Sequence, residues 1–162
     1  TSAIKQLYND VDWGDLDYLL IDLPPGTGDI QLSLCQSMSL KGAVIVSTPQ
    51  EISLIDVRKS INMFKRVNVP ILGIVQNMSY FEIGGQKNYI FGKNGVTLEA
   101  KEQNLELLGD VPILPKIAES GDIGKPPTDD DTSEIFMIYN EIAEKTVDAL
   151  DKVKIKDVDI SS

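Results

Sequence analysis

Three short apolar runs punctuate the chain, and stretches with helical spacing lie between them. Tyr18-Leu19-Leu20-Ile21, Ala43-Val44-Ile45-Val46 and Ile71-Leu72-Gly73-Ile74-Val75 are apolar on both faces and contain several β-branched residues. Such runs predict strands covered from both sides, the habit of a parallel sheet. A helix is predicted over 29–38, where Ile30, Leu34, Cys35 and Met38 share one face. A second is predicted over 53–66, where Leu54, Val57, Ile61 and Phe64 recur every three or four residues. Lys65 and Arg66 close it, where cations suit the negative end of the helix dipole. The order β-α-β-α-β, with right-handed crossovers, predicts an α/β fold: a mostly parallel sheet flanked by helices on both faces.

The pattern changes after the third run. Residues 78–95 are rich in Gly, Asn and aromatics, which predicts a loose hairpin and not a second domain. A helix follows over 96–104, then a short or edge strand over 111–114 between Pro112 and Pro115. Residues 121–131 read as a loop, and Asp131 with Glu134 as a capping box for a last helix. That helix presents Ile135, Tyr139, Ile142, Ala143, Val147 and Leu150 to the core. Residues 151–162 alternate charged and β-branched positions, so they read as an added strand or a frayed tail, not as an amphipathic membrane helix. Residues 1–150 thus form one domain and 151–162 a tail.

Composition narrows the function. A chain of 162 residues buries roughly two-thirds of its unfolded surface as one domain. No apolar run approaches the ~20 residues that span a bilayer, and residues 1–12 hold no secretory core. Lys and Arg number 15 against 25 Asp and Glu, and a net charge of −10 argues against nucleic acid as a partner. Cys35 is the single cysteine and there is no His, which excludes an intrachain disulfide and Cys/His zinc sites. A cytoplasmic setting is the expectation. Cys35 itself reads as core.

Two segments carry chemistry. In Leu20-Ile21-Asp22-Leu23-Pro24-Pro25-Gly26-Thr27-Gly28-Asp29, a predicted strand ends on a carboxylate and a Gly-rich turn leads into a helix. At the carboxyl end of a strand, Asp22 can hold a water on Mg²⁺, and Gly26 and Gly28 let backbone approach a phosphate oxygen. The alternative is a strand-to-helix turn that uses Pro and Gly for geometry alone. In the second segment, Asn77 follows the third strand, and its amide can both give and accept hydrogen bonds at an adenine edge, or it can simply cap a turn. No G-x-x-x-x-G-K-[ST] loop occurs. Gly92-Lys93 and Gly124-Lys125 are the only Gly-Lys pairs, and neither is followed by Ser or Thr.

With these segments stand Asp12-Trp13-Gly14-Asp15-Leu16-Asp17-Tyr18, Val46-Ser47-Thr48-Pro49-Gln50, Gly73-Ile74-Val75-Gln76-Asn77-Met78-Ser79-Tyr80-Phe81 and Ile90-Phe91-Gly92. Leu108-Gly109-Asp110-Val111-Pro112 and Ser120-Gly121-Asp122-Ile123-Gly124-Lys125-Pro126 complete a series covering residues 10–150. Together they resemble the Mrp/ApbC-type ATPases, MinD-related deviant P-loop proteins regarded as iron–sulfur cluster carriers. The resemblance implies ATP and Mg²⁺ as cofactors. It gives Asp22 the Walker B role on Mg²⁺, Pro25, Gly26 and Thr27 the γ-phosphate switch, and Asn77 and Pro112 the adenine contacts. It implies a homodimer acting on apo iron–sulfur client proteins, without nucleic acid or membrane. It also implies that the phosphate-cradling loop lies upstream of Thr1, so that residues 1–150 are the C-terminal part of one P-loop NTPase-like domain. Many members carry Cys-x-x-Cys after the Tyr-Phe pair, where this chain reads Glu82-Ile83-Gly84-Gly85, so no iron–sulfur ligands are expected within it.

The expected function is an ATP-binding and hydrolysing cluster carrier or assembly factor. The alternatives are a MinD/ParA-like nucleotide-switched interaction protein and a truncated domain without activity of its own. This polypeptide alone is expected to turn over no ATP, because no complete catalytic set lies within it.

Overall fold

The computed structural model describes residues 6, 8, 10–24, 26 and 28–160, the last seven without their side chains. Its elements are α1 (Asp29–Ser37), β1 (Ala43–Ser47), α2 (Glu51–Arg66), β2 (Ile71–Asn77), β3 (Phe81–Ile83), β4 (Gln86–Asn88), α3 (Gly95–Glu102), β5 (Leu107–Val111), α4 (Pro115–Asp122) and α5 (Glu134–Ile160). β1, β2 and β5 form a parallel sheet in the order β1-β2-β5, with Ile45 opposite Ile74 and Asn77 opposite Val111. β3 and β4 pair as the expected hairpin, its turn made by Gly84 and Gly85 at φ 58° and 77°. Two consecutive positive φ values match the right-handed twist of the strands they join.

The sheet is covered on both faces, which is why its central strand β2 is apolar from Ile71 to Val75. On one face Ile45 and Ile74 meet Leu54, Val57, Ile61 and Phe64 of α2, together with Cys35, Val96 and Ala100. On the other, Val75, Leu108 and Val111 meet Ile138, Tyr139 and Ile142 of α5. Gly109 makes the second contact possible, since a Cβ there would lie 2.5 Å from Ile142 Cγ1. Over β1 no described element supplies this second layer, and Val44 and Val46 are exposed.

A half-exposed arginine paired to a buried carboxylate joins α2 to α3. Arg58 donates from Nε to Glu99 Oε2 at 2.9 Å and from Nη1 to Glu51 Oε1 at 2.7 Å, and Gln103 Nε2 donates to Glu99 Oε1 at 3.0 Å. The Glu99 side chain is only 1% exposed. A buried carboxylate is tolerable while it is paired, and removing its cation leaves it uncompensated. Arg58→Ala should therefore lower the thermal midpoint by several degrees, and adding Glu99→Gln should restore part of the loss. Equal midpoints for the single and double variants would contradict this.

Several expectations are corrected. Residues 18–21 form no strand, and Leu20 is 89% exposed. A parallel strand needs a neighbour to hydrogen-bond, and none lies beside this run among the described residues. The fourth strand is Leu107–Val111 and not 111–114; it is at the sheet edge, as expected. The core stripe of α1 begins at Gln31, which is 7% exposed, while Ile30 points outward at 59%. Pro115–Asp122 is helical, with Pro at its first position, where a missing N–H costs nothing. The cap of α5 is Ser133, whose Oγ accepts from Phe136 N at 3.1 Å, and not Asp131. Ala143 faces solvent and Ala149 is buried instead. Residues 151–160 continue α5 and are no added strand, for no Gly or Pro interrupts 134–160.

Candidate functional site

The base-side residues come together at the carboxyl ends of β2 and β5. Asn77 ends β2, and its Oδ1 accepts from Met78 N at 2.9 Å. This is the turn-capping bond the residue type suggested. It supports Met78 at φ 54°, a left-handed conformation that non-glycine residues adopt mainly where their surroundings impose it. The chain then turns onto β5: Ser79 donates from N and Oγ to Val111 O at 3.0 and 3.1 Å, and Ile113 N donates to Tyr80 O at 2.7 Å. Asn77 is thereby fixed beside Pro112. Pro112 is buried, so the surface beside Asn77 is offered by the half-buried Ile113 and Leu114.

Gln76 holds this corner from beneath, and its importance was not visible in the spacing. It is 4% exposed, its Nε2 donates to Asp110 Oδ1, and its Oε1 accepts from Val96 N at 3.2 Å. One buried amide so ties β2 to β5 and to the start of α3. Gly95 beside it packs on Pro49 so closely that a Cβ would lie 2.1 Å from the Pro49 carbonyl oxygen. A cleft of about 310 Å³ opens nearby between β1 and α2, lined by Ser47, Thr48, Ser53, Asp56 and Asn77 among others. Thr48 Oγ1 and Ser53 Oγ share a hydrogen bond of 2.8 Å at its wall.

The phosphate-side residues stand elsewhere. Asp22 is exposed, with no strand behind it, and the described residues of 22–28 do not line the cleft. Gly26 has φ 101°, a value that requires glycine, which explains its place in the turn. Pro25 and Thr27 lie outside the described residues. The structure thus brings Asn77 and Pro112 together and does not join Asp22 and Gly26 to them.

The β3–β4 hairpin, where the resemblance would place a Cys-x-x-Cys pair, has different chemistry. Tyr80 and Tyr89 pack edge to face at 6.3 Å, Lys87 Nζ lies 4.0 Å from the Tyr80 ring centre, and Lys93 Nζ lies 5.0 Å from that of Tyr89. A hydrogen bond to Tyr80 holds the Lys87 ammonium above its usual range. Cys35 is buried at 3% exposure, and desolvation pushes its thiol up and away from the thiolate that iron needs. Among the described residues no cluster of three or more His, Cys, Asp or Glu is placed to hold a metal ion.

A family model described as ParA, NUBPL iron-transfer P-loop NTPase, matches residues 1–147. The chain belongs to this family. It is 47% identical over 151 residues to the iron-sulfur cluster transfer protein NUBPL of Mus musculus, covering 89% of this chain and 47% of that protein. It is 41% identical to the iron-sulfur cluster carrier protein of Aquifex aeolicus, covering 91% and 42%. The chain spans about half the length of these curated relatives. A solved nucleotide-binding protein from Archaeoglobus fulgidus, in complex with ADP, superposes with a TM-score of 0.71 at 41% identity, covering 78% of this chain and 53% of that one. The cell division ATPase MinD of Pyrococcus furiosus, at 24% identity and a TM-score of 0.62, shares the fold. The sheet with helices on both faces is accordingly the ParA/NUBPL P-loop NTPase fold, here with three parallel strands in the described part.

Proposed function

We propose that this chain supplies the base-binding and phosphate-sensing part of an ATP-dependent iron–sulfur cluster carrier. The observation that carries the reading is the pinned corner of Asn77 against residues 111–114, in a chain of a family whose members include named cluster-transfer proteins and a relative solved with ADP. Asn77 and the 112–114 backbone take the adenine. Asp22 takes the Mg²⁺ side through water, and Pro25, Gly26 and Thr27 meet the γ-phosphate. Residues 1–150 form the C-terminal part of the nucleotide domain. The assembly is a homodimer that serves apo iron–sulfur proteins in the cytoplasm. No described helix is long and apolar enough to cross a membrane.

The reading is tested on the chain itself at millimolar Mg-ADP by amide chemical-shift mapping. Shifts should cluster at residues 77–79 and 111–114, and an unresponsive corner would refute the base site. ATP turnover should be undetectable, since the chain has no phosphate loop and the charge stabilisation such a loop supplies. Robust hydrolysis abolished by Asp22→Ala would overturn that expectation.

The cluster is cargo in this reading, and the residues at hand do not form a cradle for it. Anaerobic incubation with iron and sulfide should yield no stable chromophore on this chain. A stoichiometric cluster would show that the hairpin or Cys35 binds it after all.

A further inference from the structure

The polar residue that opens the buried stripe of α1 points to a role for a side chain outside the family of motifs above. Gln31 sits on the inner side of the helix beside Leu34 and Cys35, at 7% exposure, where the periodicity calls for an apolar residue. Its Nε2 donates to the carbonyl oxygen of Pro24 at 3.2 Å, seven residues back along the chain. Two glycines of the same turn lie against the same amide: a Cβ on Gly26 would stand 3.5 Å from Nε2, and one on Gly28 would stand 3.6 Å from Oε1. The outer side of the turn, at Asp22, Pro24, Gly26 and Gly28, is open to solvent. Gly28 stands at the N-cap of α1 and brings no side chain to the first helical turn.

A buried amide in a core stripe is costly unless its hydrogen bonds are used. Here the Nε2 donor is used on the Pro24 carbonyl, in a turn whose described residues Pro24, Gly26 and Gly28 are exposed on the other side. We propose that Gln31 is a positioning residue. Its carboxamide is the floor beneath Pro24, Gly26 and Gly28, and it presents their outer side to the terminal phosphate of a bound nucleoside triphosphate. This rests on the assignment of residues 22–28 to phosphate sensing. Gln31 touches no phosphate; it acts through the backbone of Pro24 and the two glycines.

The test uses two substitutions in the full chain and reads ¹⁵N relaxation at Gly26 and Gly28. Gln31→Met keeps length and burial but loses the donor. Gln31→Leu is likewise apolar and loses the donor without burying a charge, and serves if the Met variant does not fold. Order parameters at both glycines should fall from a rigid value toward the flexible range below about 0.6, with the thermal midpoint and the signals of β2 unchanged. Unchanged order parameters at Gly26 and Gly28 overturn the proposal. So does a loss of order spread evenly over the sheet, which would make Gln31 a plain core residue. A second arm compares Mg-ATP with Mg-ADP at millimolar concentration. In the wild-type chain the Gly26 and Gly28 amides should distinguish the two, and in the variants they should not. If the wild-type amides respond identically to both nucleotides, the phosphate-sensing assignment fails, and the relaxation arm still decides whether Gln31 sets the turn.

Discussion

Gly95→Ala should lower the free energy of unfolding by about 2–5 kcal/mol, the range of an overpacked contact combined with a lost buried hydrogen bond. The new Cβ would stand 2.1 Å from the Pro49 carbonyl oxygen and 2.9 Å from its carbon. Both are backbone atoms, so no side chain can swing aside. The start of α3 must retreat, and with it the Val96 N–H that Gln76 Oε1 accepts. Gln76 also reaches Asp110, so strain at Gly95 is felt at β5. Urea unfolding of wild type and variant measures the difference. Gly121→Ala is the matching control: it lies within α4, nothing stands within 4 Å of the added Cβ, and it should stabilise by up to about 1 kcal/mol. Equal stability of Gly95→Ala and wild type would show that the α3–Pro49 contact is looser than drawn.

Asn77→Asp should weaken ADP about tenfold or more, the loss expected when a donor facing a base edge becomes a second acceptor. The choice of Asp over Ala separates two roles. Asn77 Oδ1 supports Met78 N in its left-handed turn, and a carboxylate oxygen keeps that bond. The pinned corner should therefore stay folded while only the base contact is lost. Asn77→Ala removes both and should also loosen residues 78–80. Chemical-shift titration reads affinity, and the thermal midpoint reads the turn. An Asp variant that binds ADP like the wild type would reduce Asn77 to a turn cap.

α1, α2, the body of α5 and the first two sheet strands are legible because their burial is one-sided or complete and leaves a clean period. α2 shows this best: its apolar stripe and its basic last turn both appear in the structure. Legibility failed where a polar residue does structural work inside an apolar pattern. The pattern misplaces β5 because Gly109 and Asp110 break its run, yet the first lets α5 approach and the second is tied to Gln76. At the start of α1 the pattern favours Ile30 over the buried Gln31 for the same reason. The run at 18–21 failed differently: an apolar sequence can say that a strand wants two neighbours, but not whether they are at hand. At the site, the residue types at Asn77 and Gly26 were readable from their turns. The buried amides beneath them were not, since a glutamine has no period of its own.

The bare flank of β1 also bears on how this protein behaves at high concentration. It ends the described sheet, so backbone donors and acceptors along one side of Ala43–Ser47 lack a ladder partner there, beside exposed Val44 and Val46. No Pro and no charged residue lies within the strand to discourage strand-to-strand stacking. The net charge of −10 opposes such stacking, and that repulsion acts over only about 8 Å at physiological salt. Colloidal stability is thus set by ionic strength: dilute buffer should keep the chain dispersed, and added salt should bring it toward ordered self-association long before it unfolds.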